Sequence, residues 1–471
     1  MARVNEKNIQ SSHREFLTVE NFIGVWLDAN INHRSDDYQS LFTQVQQLID
    51  LIVPFTDPES CMDFISDIKN EKIFLIISGS LGEKMISLLQ NFSQINSIYI
   101  YCDNKAKHEK WANKEKKIQG VFTKTQAIYD VFRRDIRQCQ DDLVSFNMLS
   151  SAYDLNQSDQ LFIYIQILKD ILIHMECEPN SKLDFIDFCH SRYQHNPYQL
   201  DIIREFKNDY KQSSAIWWYT RECFISSMLN KAFRIHDIDI LIKMNFFIQD
   251  LHQEIKRLHS KLNKQNHLTI YRGQGITEGE FQKILDNSNG FISFNNFLIT
   301  TTDKNVSLVY ACSARDNHGL VGVIFQINID QSQAIFTPLH KIDYYSESTK
   351  EILFTINTIF RIHNIHQIEN GLWEIQLTLT ADDNEQLKNI TKLMQKEFEG
   401  KNEIEQLHAI MTKIQMAGEF ESEYIETQTS HEHPVHEETE AHHTDMETEQ
   451  AVQENARNDE FESEHPVVAP E

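Results

Sequence analysis

Between residues 267 and 380 short apolar runs follow one another at strand length. The last is the clearest: Trp373, Ile375, Leu377 and Leu379 alternate with Glu374, Gln376, Thr378 and Thr380. An extended chain points successive side chains to opposite faces, so a period of two places one face on a core and the other in water. The runs 267–273, 290–294, 297–301, 323–329, 351–356 and 358–362 read in the same way, with a single helix over 303–314 among them. An all-helical fold is excluded for this stretch. Before it, residues 155 to 262 read as helical. Leu161 to Met175 is apolar but too long for one strand, and Trp217-Trp218-Tyr219 with Phe224, Met228, Leu229 and Phe233 marks one buried helical face. After it, Asp383 caps a helix carrying Leu387, Ile390, Leu393, Met394 and Phe398, and a second helix carries Ile404, Leu407, Ile410 and Ile414.

The first 150 residues carry another pattern. Phe22–Asp28, Ile73–Ile77 and Ile98–Tyr101 are short apolar runs, separated by helical periodicity over 41–53, 62–68, 84–89 and 126–144. Short continuous strands alternating with helices predict a doubly wound parallel sheet. Ser78-Gly-Ser-Leu-Gly-Glu-Lys84 is a strand-to-helix turn whose amides could cradle a phosphate. It fits neither standard glycine-rich phosphate motif and reads as a tight turn. Asp28, at the end of the first strand, is a lone carboxylate. This unit is assigned no chemistry of its own, only recruitment of a target or control of access.

Composition excludes several classes. With 41% hydrophobic and 24% charged residues the chain has the makings of a soluble globular protein. Its net charge of −26 argues against nucleic-acid binding, which needs an excess of Lys and Arg. No apolar run reaches about 18 residues, so no membrane span is expected. The polar start shows no secretory signal. The seven cysteines lack Cys-x-x-Cys spacing, which predicts no disulfide framework, no zinc site and a reducing, intracellular, cytoplasmic setting. From Gly418 onward seventeen acidic residues face the one Arg457, with six His among them. That segment reads as a disordered, solvated acidic tail rather than a metal site.

Three segments of the strand-rich part stand out in order: Leu268-Thr-Ile-Tyr-Arg272-Gly, Phe297-Leu-Ile-Thr300-Thr301, and Tyr344-Tyr-Ser-Glu347-Ser-Thr349-Lys-Glu351-Ile-Leu-Phe. With Asn357-Thr-Ile-Phe-Arg-Ile362 and Ala215-Ile-Trp-Trp-Tyr-Thr-Arg221, they resemble the Arg–Ser–Glu class of mono-ADP-ribosyltransferases, specifically the NAD(P)-dependent, protein-arginine branch. The resemblance covers roughly residues 210 to 380. It implies an α+β fold with two mainly antiparallel sheets enclosing an NAD cleft. NAD is then a substrate, no metal takes part, and ADP-ribose passes to a protein acceptor.

The resemblance also implies roles. Arg272, Thr301 and Glu351 are catalytic, with Glu351 the key acid. Arg272, Gly273, Thr300 and Tyr310 bind NAD: Arg272 through the pyrophosphate, Gly273 through its backbone to the nicotinamide amide, Tyr310 through its ring. Thr349 and Glu347 lie on the acceptor side. Two positions depart from the family pattern. Ile299 stands where a Ser orients the catalytic Glu, and Thr349 stands where arginine-modifying members carry a Glu. A catalytically silent binding protein and an NAD glycohydrolase are therefore alternatives. The expected organisation is a flexible 1–20, an α/β domain over 21–150, a helical connector over 151–209, the transferase domain over 210–382, C-terminal helices over 383–416 and the tail over 417–471.

Overall fold

The computed structural model describes residues 21–31, 36–69, 71–150, 157–221, 223–262, 267–315, 320–330, 335–344, 350–356, 358–380 and 385–429. Residues 1–20, Glu347, Thr349, Asp383 and 430–471 lie outside them, and the tail expected to be disordered from 417 instead continues the last helix, Glu403–Thr429, over its first residues. The chain divides into two units, Met1–Phe420 and Glu421–Glu471.

The N-terminal part is built on β1 (Phe22–Leu27), α1 (Asp36–Leu48), β2 (Leu51–Phe55), α2 (Pro58–Asp67), β3 (Lys72–Ser78), α3 (Gly79–Leu89), β4 (Ile95–Tyr101), α4 (Lys105–Ala112), β5 (Ile118–Phe122) and α5 (Thr125–Asp142). The five strands are all parallel, in the order β2-β1-β3-β4-β5. Because both faces of this sheet are covered, its central strands are apolar throughout: all six residues of β1 are buried. One face packs on α2, α3 and α4 through Cys61, Ile65, Met85, Leu89 and Ala112. The other packs on α1 and α5 through Leu41, Val45, Ile128, Phe132 and Ile136. Three elements escape the sequence reading, one of them the mostly polar helix α4. The helical pattern expected to run to Val53 stops at Leu48, and Leu51–Phe55 is instead an edge strand that tolerates Pro54. Ile118–Phe122 is too short and too half-buried to announce itself.

Next come β6 (Phe146–Leu149), α6 (Gln157–His174), α7 (Ser181–Arg192), α8 (Pro197–Asp209), α9 (Ala215–Thr220), α10 (Phe224–Ile235), α11 (Ile238–Lys243) and α12 (Asn245–His259). The strand-rich part follows: β7 (His267–Thr277), α13 (Glu278–Asp286), β8 (Phe291–Phe294), β9 (Leu298–Thr301), α14 (Lys304–Arg315), β10 (Leu320–Asp330), β11 (Phe336–Pro338), β12 (Glu351–Phe354), β13 (Ile359–Glu369) and β14 (Leu372–Leu379), closed by α15 (Glu385–Gln395) and α16 (Glu403–Thr429). Helices α6 to α12 share one core with Met394, Phe398, Leu407 and Ile410 of the C-terminal helices and with Leu353 and Phe297 of the sheet. The buried Trp218 belongs to that core.

The strands form one nine-stranded sheet, in the order β11-β12-β9-β7-β10-β14-β13-β8-β6, where two sheets were expected. Its joint is slender: β7 and β9 meet at a single pair, Tyr271 and Thr301. Three antiparallel strands, β11, β12 and β9, thus form a wing beside the other six. All pairings described in this sheet are antiparallel except β10 with β14. Strand β6 was not expected. It follows directly on α5 and adds to the sheet edge beside β8, so the N-terminal part is threaded into the strand-rich part.

A buried lysine gives the fold a pH dependence. Lys169 on α6 is 1% exposed, donates to the Phe294 carbonyl (2.8 Å) and the Ser293 hydroxyl (3.3 Å), and pairs with no carboxylate among the described residues. Burial pushes its ammonium down to about 7 from an ordinary 10.5. The unfolded chain therefore binds the proton more tightly, and stability falls as pH drops from about 10.5 towards 7. Lys169→Met removes this dependence. Relative to the variant, the wild type loses on the order of 4 kcal/mol across that window. Denaturant midpoints of both proteins at about pH 10 and pH 7 check this, and parallel pH profiles contradict it.

Candidate functional site

The site grows from the joint of the large sheet. Tyr271 of β7 stands opposite Thr301 of β9, which stands opposite Glu351 of β12. Directly paired residues share a face, so Thr301 and Glu351 point the same way. One step back, Ile299 pairs with Leu353 on that face, and both pack against the helical core. Ile299 is an apolar packing residue and offers no donor to Glu351. Thr301 accepts from the Asp303 amide (3.1 Å) and so sets the turn into α14. Thr300 projects to the opposite face, where its hydroxyl donates to the Ile352 carbonyl (3.3 Å). The structure therefore brings Thr301, but not Thr300, to the side of Glu351.

Beyond the Tyr271–Thr301 pair the two strands part, and the Arg272 guanidinium fills the gap. It is only 6% exposed. Its Nε donates to Gln274 Oε1 (2.9 Å) and Nη1 to the Ile299 carbonyl (3.0 Å). Its Nη2 donates to the Asp141 carbonyl (3.0 Å) and faces Asp141 Oδ1 at 3.3 Å. The expected pyrophosphate contact is thus occupied by a residue from the end of α5.

Helix α14 lies directly on glycine backbone. A Cβ on Gly273 would stand 1.8 Å from the Ser307 carbonyl oxygen, and one on Gly322 would stand 2.3 Å from that of Ala311. Gly273 is paired with Ile324 of β10. Its visible role is to let α14, the helix that carries Tyr310, close on β7. The phenol of Tyr310 is raised, first by burial and then by Asp141, and it senses Arg137, Glu351 and Arg272 as well. The Glu351 carboxyl is raised by burial, by Asp343 and by Asp141, with Arg137 opposing. Asp141 touches Arg272 directly and raises Tyr310 and Glu351 through space, while the β7 residue paired into the Thr301–Glu351 row is Tyr271.

Asp141 and Asp142 were not anticipated. Burial raises both carboxyls, that of Asp142 to about 7, against the opposing pull of Arg272 on Asp141 and of the Gly275 amide on Asp142. One sequence signal pointed to them. The C-terminal end of a helix carries negative partial charge, so two adjacent acids in the last turn, with no basic residue there, are disfavoured by about 0.3–1 kcal/mol each. Such a local conflict marks residues whose partners lie elsewhere in the fold.

Among the described residues no group of three His, Cys, Asp or Glu is placed to hold a metal, and no helix is long and apolar enough to cross a membrane.

No family model matches this chain, and no curated protein matches it. Solved structures do. The C3 exoenzyme of Clostridium limosum is similar at 12% identity over 41% of this chain and 94% of its own, with a TM-score of 0.27. The Vis toxin, an ADP-ribosyltransferase from Vibrio splendidus, is similar at 16% over 46% and 92%, with a TM-score of 0.24. The ADP-ribosyltransferase HopU1 of Pseudomonas syringae is similar at 14% over 52% and 96%, with a TM-score of 0.26.

Proposed function

We propose that this chain cleaves the nicotinamide–ribose bond of NAD and transfers ADP-ribose to a nucleophile on a protein. One observation carries the reading. The Tyr-Arg-Gly, Ile-Thr-Thr and Glu-Ile-Leu-Phe motifs, read in order from the sequence, lie on the adjacent strands β7, β9 and β12, with Thr301 and Glu351 in register. In this reading Arg272 holds the pyrophosphate and Tyr310 lies against the nicotinamide. As nicotinamide leaves with the bonding electrons, the ribose gains oxocarbenium character. The half-buried Glu351 carboxylate stabilises that charge near the 2′-hydroxyl. The acceptor then attacks the anomeric carbon and loses its proton.

Thr349 favours a second reading. A guanidinium needs a carboxylate to steer it and take its proton, and threonine is no base at neutral pH. Water then replaces the protein acceptor, giving free ADP-ribose, unless Glu347 serves in its place. NAD labelled in the adenylate part separates the two readings: protein-bound label supports transfer, and free ADP-ribose alone supports hydrolysis. Absence of both products and of nicotinamide at saturating NAD overturns cleavage altogether.

The pH profile follows from the site. Glu351 acts ionised, so kcat/KM rises with pH through its pKa in the free protein. Because burial, Asp343 and Asp141 all raise that pKa, the acid limb lies at higher pH than an ordinary glutamate would give. Asp141→Asn deletes one of the raising charges and moves the limb to lower pH. A limb that stays in place removes Asp141 from the electrostatics of Glu351.

A further inference from the structure

We propose that the C-terminal end of α5 is an internal plug of the NAD cleft, so that the N-terminal α/β unit holds the site off until it is displaced. The inference rests on the reading of Arg272 as the phosphate-binding residue. A phosphate and a carboxylate make the same charge-assisted bonds to a guanidinium fork, and one Nη2 cannot serve both ligands in full. Here Nη2 is given to the carbonyl and carboxylate of Asp141, 131 residues earlier in the chain.

The contact is part of a built strap. Asp142 Oδ1 accepts from the Gly275 amide (2.6 Å) and from Gln138 Nε2 (2.9 Å). Gln138 also reaches the Tyr310 carbonyl (3.4 Å), and Gln274, which holds Arg272 Nε, donates to the Val144 carbonyl (3.2 Å). The segment 138–144 therefore engages the strand that carries Arg272 and the helix that carries Tyr310. Past it, β6 is anchored in the sheet beside β8, so the strap keeps one end fixed when it opens. Its other end belongs to the N-terminal core through Ile128, Phe132 and Ile136. A ligand or partner that shifts that core carries Asp141 with it. By linkage, NAD and the docked strap weaken each other to the same degree.

The test measures NAD binding to the full chain as wild type, Asp141→Asn, Asp141→Ala and Glu351→Gln. Both Asp141 variants are expected to bind NAD about tenfold or more tightly than wild type. Glu351→Gln is expected to bind like wild type while its nicotinamide release falls by on the order of a hundredfold or more. Equal affinity in wild type and both Asp141 variants overturns the plug and leaves the site reading standing. Folded variants that bind no NAD at all overturn the site reading and the plug with it. Amide hydrogen exchange in the wild type keeps the test independent of whether the variants fold. Added NAD should remove protection from residues 138–145, and protection that is unchanged at saturating NAD overturns the proposal.

Discussion

Glu351→Gln is expected to lower nicotinamide release by on the order of a hundredfold to a thousandfold, while the protein becomes slightly more stable. The amide keeps the size of the carboxyl and, in the proposed reaction, loses the charge that faces the developing oxocarbenium ion. Removing one such preorganised electrostatic partner typically costs about 3–4 kcal/mol of transition-state stabilisation. The stability change has the opposite sign for the same reason. The Glu351 carboxyl is raised by burial and by the acids Asp343 and Asp141, so its ionised form is unfavourable in the folded protein near neutral pH. A neutral side chain relieves that cost, as at other sites where function holds a charge in an uncomfortable place. Single-turnover nicotinamide release and thermal denaturation of the same preparations read both effects. Unchanged turnover removes Glu351 from the chemistry. Lost turnover in a destabilised protein turns the effect into one of folding.

Gly273→Ala is expected to destabilise the protein by about 3 kcal/mol or more, at or beyond the upper end for overpacking. The added Cβ meets the Ser307 carbonyl oxygen at 1.8 Å and its carbon at 2.7 Å, which are main-chain atoms of α14 with no rotamer to turn away. Relief requires α14 to lift from the sheet, and Gly322 and Gly275 seat the same helix, where an added Cβ would stand 2.3 Å from the Ala311 carbonyl oxygen and 2.7 Å from the Ala314 Cβ, respectively. Because Tyr310 rides on α14, NAD binding at the proposed site is expected to fall with stability. Gly279, at the start of α13, is the control: an added Cβ there meets nothing within 4 Å, so Gly279→Ala stabilises by roughly 0.5–1 kcal/mol. Urea unfolding of the two variants checks the pair. A Gly273→Ala protein within about 0.5 kcal/mol of wild type shows that α14 does not sit on that strand.

The local content of this protein was legible. The alternation from Trp373 to Thr380 is a strand because period two is a property of neighbouring residues, and β14 covers Leu372–Leu379. The apolar run from Leu161 to Met175 is too long for a strand and lies almost wholly within α6, buried on most of its faces. The order of Arg272, Thr301 and Glu351, each on its own strand, was equally readable, because residue identity and nearest-neighbour pattern are local. Ile299 was visible as a departure. That it serves the helical core on the Glu351 face follows from its pairing with Leu353, a neighbour far along the chain.

What the tertiary structure decided lies in contacts between distant residues. No local pattern tells β6 to leave the N-terminal part and add to the edge of a sheet whose other strands begin at His267. Nor does any pattern join two expected sheets into one through the single Tyr271–Thr301 pair. The docking of Asp141 on Arg272 closes a loop of 131 residues. Closure over such a length costs only slightly more than over a shorter one, so partner choice falls to burial and charge complementarity at the assembled joint. The sequence by itself determined which residues can bind an anion and which can stabilise a cation. The fold decided that the guanidinium is already held by a carboxylate of the same chain, because only the packed joint buries the guanidinium and brings Asp141, 131 residues away, within reach of it.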